Sequence, residues 1–181
     1  IGPADGDLPR LRAASEFLLT HALVERILYL GNDDAVDQLI ATWAPSMVTA
    51  GDYTTHILDH ATALACEGSP ADIEALLKEM AAVRDLGFVR KLPPHPGRAV
   101  EMVDDRIITA VYDKAVLNEE DIANSSVLVY GRGTEPFLKR FGPRMFFTPG
   151  PLSHGKYGLV DLDADGQVHL SLLESGTGAV V

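Results

Sequence analysis

The chain has 181 residues, with 15 Lys plus Arg against 26 Asp plus Glu and a formal net charge of -11. Such a field repels phosphate backbones and anionic lipid surfaces, so nucleic-acid and membrane-surface binding are set aside. Hydrophobic residues make up 46%, which is enough for one domain over residues 1–181 with a full core and argues against long disorder.

The chain opens at Ile1, without a methionine and already at a strand end, so residues upstream are expected; no signal peptide is visible. "DLPRLRAASEFLLTH" reads as a helix, with Asp7 as N-cap, Pro9 in the first turn and Leu8, Leu11, Leu18 and Ala22 at helical spacing. "RILYLG" reads as a short buried strand closed by Gly31, and "DDAVDQLIATW" as the next helix. "SMVTAG" is expected to be a second short strand closed by Gly51, followed by a helix in "TTHILDHATALAC". Ser69, Pro70 and Asp72 form a capping-box pattern that starts another helix. After the proline-rich connector "KLPPHPGR" the texture changes to strands: "AVEMV", "RIITAVY", "SVLVYG", "RMFFT", "YGLVDLD" and "QVHLSLL". "NEEDIAN" is a brief helix among them, and "DADG" a hairpin turn between the last two. The order implies an α/β fold of two packed mixed β-sheets flanked by helices.

In open α/β sheets, ligands bind beyond the carboxyl ends of strands. The polar clusters at those ends are "GPADGD", "GNDD", "GDYT", "YDK" and "GRGT". Loops need Gly, Asn and Asp for turning whatever the function. The order and spacing of these clusters, from "IGPADGDLPRL" to "GQVHLSLL", nevertheless resemble the calcineurin-like metallophosphoesterase family, in particular its small bacterial phosphodiesterase branch. The resemblance implies a four-layer sandwich. It also implies a crevice in which the family holds two divalent metals that activate a bridging water and clamp a phosphoryl group.

Carried across position by position, the metal ligands are degenerate. Where the family has Asp-x-His-Gly, this chain has Pro3-Ala4-Asp5-Gly6, and where it has a bridging Gly-Asp, this chain has Gly31-Asn32 with Asp33 beside it. The family's Gly-Asn matches Gly51-Asp52, its His-Gly matches Tyr112-Asp113, and its Gly-His-Thr-His matches Gly131-Arg132-Gly133-Thr134. The turn that follows is altered to Thr148-Pro149-Gly150-Pro151. A guanidinium stays protonated and cannot ligate a metal, so Arg132 is expected to pair with Asp5 or Asp52 in place of a missing ion. The resemblance therefore implies a pseudoenzyme without a metal cofactor, acting as a binding or scaffold protein through another protein or self-association. A eukaryotic retromer subunit of this family serves as a scaffold. The alternative is a divergent phosphodiesterase or phosphatase with one Mg²⁺ or Mn²⁺ held by Asp5, Asn32 and Asp52, with Asp33 and Asp113 near. A third reading is a small-anion sensor built on Arg132 and the amides of Gly131 and Gly133.

Plainer readings cover the remaining motifs. His56 and His60 share a helix face but lack the Glu of a zincin motif. "DLDADG" would place Leu172 at the twelfth position of a calcium loop, so a turn is the better account. Ser153-His154 has no nucleophile elbow, and Glu119, Glu120 and Asp121 suit a solvated helix start. Cys66, the single cysteine, cannot form an internal disulfide; it is expected to be a small buried hydrophobe in a reducing, cytoplasmic setting. No apolar run reaches the ~20 residues of a membrane helix.

Overall fold

The computed structural model describes residues 1–45, 52–163, 165–175 and 177–180. The strand expected in "SMVTAG", with Gly51, and Ala164 of the hairpin turn lie outside the described residues.

Helix α1, Leu8–Thr20, begins where the Asp7 carboxylate accepts the Arg10 amide at 3.0 Å. Its buried residues, Leu11, Ala14, Ser15 and Leu18, form one stripe at spacings of three and four. Strand β1, Ile27–Tyr29, is followed by α2, Ala35–Trp43, which buries Ala35, Val36 and Leu39. Helix α3, Tyr53–Glu67, buries none of its residues. Helix α4, Pro70–Leu86, carries the expected capping box: Ser69 accepts the Asp72 amide, and Asp72 accepts the Ser69 amide. Ser69→Ala removes half of that exchange and lowers stability by about 1 kcal/mol, visible as a thermal midpoint lower by roughly 3 °C.

Strand β2, Val89–Lys91, follows directly and pairs in parallel with β1, Ile27 opposite Val89 and Tyr29 opposite Lys91. On the other side of β1, the Ile1 amine donates to the Leu28 carbonyl and the Leu30 amide to the Ile1 carbonyl, as in parallel pairing. A larger sheet has the order β3 (Arg98–Val103), β4 (Arg106–Val111), β5 (Val127–Tyr130), β7 (Arg144–Thr148), β6 (Phe137–Phe141). Its β4–β5 and β5–β7 pairs are parallel and its outer pairs antiparallel. Helix α5, Glu119–Asn124, connects β4 to β5. Strands β8 (Lys156–Leu162) and β9 (Val168–Glu174) form the expected hairpin. In its turn the Asp163 carboxylate accepts the Asp165 and Gln167 amides.

Side-chain alternation along β1 builds the layers. Ile27 and Tyr29 point into a core shared with α1, α2 and α4, whereas Leu28 and Leu30 join Ile108, Val127, Val129 and Phe147 in a second core between the sheets. The hairpin serves both: Tyr157 and Leu173 belong to the first core, and Val160, Leu170 and Leu172 pack on the second. All four residues of β5 are buried, as the unbroken apolar run of a central parallel strand requires. The result is the α/β sandwich expected, with helices outside the smaller sheet and the larger sheet behind it.

Candidate functional site

The carboxyl ends of the strands converge. A Cβ on Gly2 would fall 1.8 Å from the Gly150 carbonyl oxygen, and one on Gly131 would fall 2.0 Å from the Leu30 carbonyl oxygen. The Leu152 amide donates to the Pro3 carbonyl at 2.8 Å. The register of β4 and β5 sets Val111 opposite Tyr130, so two residues further on Asp113 and Arg132 emerge side by side. There the Arg132 Nη1 donates to Asp113 Oδ2 at 2.5 Å.

That contact corrects one expectation. The partner of Arg132 is Asp113, not Asp5 or Asp52, and the pair is not buried: the guanidinium side chain is 68% exposed. Asp113 also accepts the Ala115 amide at 3.0 Å. That amide, and then Arg132, holds its carboxyl below the usual carboxylate range. Because the pair is exposed, Arg132→Ala leaves stability almost unchanged, and because the amide remains, it raises the Asp113 pKa only part of the way back. A carboxyl-carbon NMR titration reads this directly.

The pairing of the smaller sheet brings in a loop that the motifs do not contain. The strand beside β1 is β2, so the loop that opens above it is residues 92–97 and its histidine is His95. The His95 amide donates to Asn32 Oδ1 at 3.1 Å, and its ring stands edge-on to Tyr112 with centroids 6.3 Å apart. A histidine therefore does stand among these residues. Asp52 is the N-cap of α3, with its carboxylate accepting Thr55 Oγ1 at 2.7 Å and the Thr54 amide at 3.0 Å. These bonds hold its carboxyl below the usual range, the hydroxyl first. Asp5 is exposed at a left-handed φ of 50°, and Thr134 is exposed in the turn that leads to β6.

Tyr29 is the second residue that the strand pattern concealed. Its ring is fully buried, and its hydroxyl accepts the Ala4 amide at 2.9 Å while donating to both Asp33 oxygens at 3.0 and 3.1 Å. Asp33 also accepts the Ala35 amide at 3.1 Å at the start of α2. Burial, together with the nearby Asp33 carboxylate, pushes the Tyr29 phenol well above its ordinary value. One phenol thus ties the first strand end to the second. One of the minor expectations reads differently in three dimensions, and another holds only in part. Cys66 is exposed, and Asp121, in the acidic first turn of α5 as expected beside the exposed Glu119 and Glu120, is itself half-buried, accepting the Asn118 amide and pairing with Arg98.

These contacts decide whether the residues fit a pair of divalent ions. Among the described residues, no three His, Cys, Asp or Glu side chains are grouped to hold one. Asp33, Asp52 and Asp113 each receive two or more donors from their own chain, and the Asn32 amide oxygen is taken by His95. A divalent ion would have to displace those donors and overcome a fixed cation at Arg132. The donor set does not fit the dinuclear site. Of the amides that could meet an anion, that of Gly131 is already bound within the chain. The Gly131 amide donates to the Val111 and Tyr112 carbonyls, and the Arg132 amide to Tyr112.

No protein-family model matches the chain, and no curated protein does. Solved structures do. An archaeal phosphodiesterase is 16% identical, with 96% of this chain and 97% of that one covered at a TM-score of 0.52. A hypothetical protein of Pyrococcus horikoshii OT3 is 15% identical, with 97% and 86% covered at 0.54. A predicted phosphoesterase of Streptococcus pneumoniae TIGR4 aligns over 95% and 88% at 14% identity, with a TM-score of 0.49 that carries no weight. At such identities the likeness shows the fold: this chain has a metallophosphoesterase-like sandwich.

Proposed function

We propose that this protein is a pseudoenzyme of the calcineurin-like metallophosphoesterase superfamily, descended from its small phosphodiesterase branch and working by binding. The observation that carries this reading is the commitment of the crevice carboxylates to their own chain. Asp33 is held by Tyr29 and Ala35 and Asp113 by Ala115 and Arg132, while Asp52 is exposed at the start of α3 and bound to Thr54 and Thr55. A two-metal hydrolase needs the opposite arrangement, in which carboxylates face an open site and neutralise the ions. The strand ends here are instead stapled by phenol and amide donors, which makes a rigid base for presenting a surface. Among the described residues no helix is long and apolar enough to cross a membrane. A single cysteine fits a reducing, cytoplasmic setting.

The test is hydrolysis of bis(p-nitrophenyl) phosphate by the purified chain with excess Mn²⁺ or Mg²⁺. The reading expects no metal-dependent turnover above buffer. Turnover that needs the metal, and that is lost on Asp5→Ala, would favour the divergent one-metal phosphoesterase.

A further inference from the structure

Among the described residues strand β6 closes one side of the larger sheet, with β7 as its neighbour in the strand order. All five of its residues are exposed, among them Phe137 at 41%, Leu138 at 48% and Phe141 at 50%. Its hairpin turn is the two residues Gly142 and Pro143, closed by the pair Phe141 and Arg144. From that closing pair, hydrogen-bonded and open pairs alternate along an antiparallel ladder. Phe141, Lys139 and Phe137 therefore bond to β7, and the backbone N–H and C=O groups of Leu138 and Arg140 face outward. An open row of this kind is a template for another strand. Its charge is also unlike that of the rest of the molecule. Residues 136–148 hold three basic side chains, Lys139, Arg140 and Arg144, and no acidic one, in a chain of net charge -11.

We propose that β6 docks an extended, acidic and apolar segment of another protein, which joins the larger sheet as a sixth strand. Backbone bonds to Leu138 and Arg140 supply the pairing, Phe137, Leu138 and Phe141 supply apolar contact, and Lys139 and Arg140 select acidic side chains. A second copy of this chain is disfavoured by the same cations. Two antiparallel β6 strands that pair through the outward groups of Leu138 and Arg140 would set Lys139 directly against its own counterpart, and like charges directly opposite destabilise a sheet. The inference does not depend on whether the strand-end crevice hydrolyses anything.

The experiment uses the full chain and a fluorescein-labelled nonapeptide of alternating Glu and Val, followed by fluorescence anisotropy at low salt. Saturable binding is expected, weakened by about tenfold or more in the double variant Lys139→Glu/Arg140→Glu. Leu138→Pro removes one outward amide at a position where an edge strand tolerates proline, and it is expected to abolish binding with the thermal midpoint little changed. If that variant does not fold, hydrogen exchange on the unaltered protein gives the answer: the amides of Leu138 and Arg140 slow when peptide saturates. Equal binding of a Lys-for-Glu peptide, binding that survives Leu138→Pro, or absence of saturation would overturn the proposal. So would a concentration-dependent dimer that Lys139→Glu strengthens, or recruitment to phosphatidylserine vesicles in place of peptide.

Discussion

Gly131→Ala costs about 3 kcal/mol, the upper part of the range for forcing an atom into packed structure, and lowers the thermal midpoint by on the order of 10 °C. The added Cβ would sit 2.0 Å from the Leu30 carbonyl oxygen and 2.9 Å from its carbon. Both are backbone atoms, so no side chain can swing away. Gly131 follows β5 and its amide is bound to the Val111 and Tyr112 carbonyls, while Leu30 is bound to Ile1. Neither strand end can retreat without breaking the contacts that hold the crevice together. The comparison is Gly142→Ala, where nothing lies within 4 Å but φ is 59°. There only the left-handed backbone is strained, by about 1 kcal/mol. Equal losses in the two variants would mean that the close approach of β1 and β5 is not a structural requirement.

Tyr29→Phe costs about 2 kcal/mol, because it leaves a buried Ala4 amide without an acceptor and removes a donor from Asp33. Tyr157 is the natural control. It too is fully buried, but its hydroxyl has no hydrogen-bond partner among the described residues. Removing that hydroxyl deletes a desolvated polar atom, so Tyr157→Phe is neutral or slightly stabilising. The two variants lose the same atom and differ only in what the atom touches. The pH dependence separates them further. The folded-state pKa of Tyr29 is raised, chiefly by burial. Its contribution to stability is therefore complete below the unfolded phenol value of about 10 and is lost as the pH rises beyond it. Tyr130 and Tyr157 are raised by burial with the same sign. Denaturant midpoints measured from neutral to strongly alkaline pH should fall for the unaltered protein and fall less steeply for Tyr29→Phe. Matching slopes would contradict the role given to this phenol.

Helix starts were legible because their signals are local: Asp7 before Leu8 and Ser69 with Asp72 each use a side chain within three residues. Strand β5 was legible as an apolar run bounded by a turn. Strand β6 was not, because "FLKRF" lies at an edge with both faces in water, so no burial period marks it. Strand β2 was hidden for a different reason. Three residues directly after a long helix and before prolines give no pattern of their own, yet they decide which loop stands above β1.

The site was legible in proportion to how local its contacts are. Asp52 as an N-cap needs only Thr54 and Thr55. The Arg132–Asp113 pair spans 19 residues, but it could have been derived, since β4 and β5 run in parallel and both residues lie two positions past a paired end. Tyr29 could not have been derived. Its partners are an adjacent-loop carboxylate and an amide 25 residues away, and a Tyr in a strand reads as an apolar residue until the fold brings Ala4 over it. His95 was passed over in a proline-rich connector for want of β2.

The most direct test is elemental analysis and isothermal titration of the purified protein with Mn²⁺. If the crevice carboxylates are already occupied by Tyr29, Ala35, Ala115 and Arg132, the protein carries no stoichiometric metal and Mn²⁺ gives no saturable heat. Two divalent ions per chain, lost together when Asp33 or Asp113 is replaced by Ala, would contradict that account.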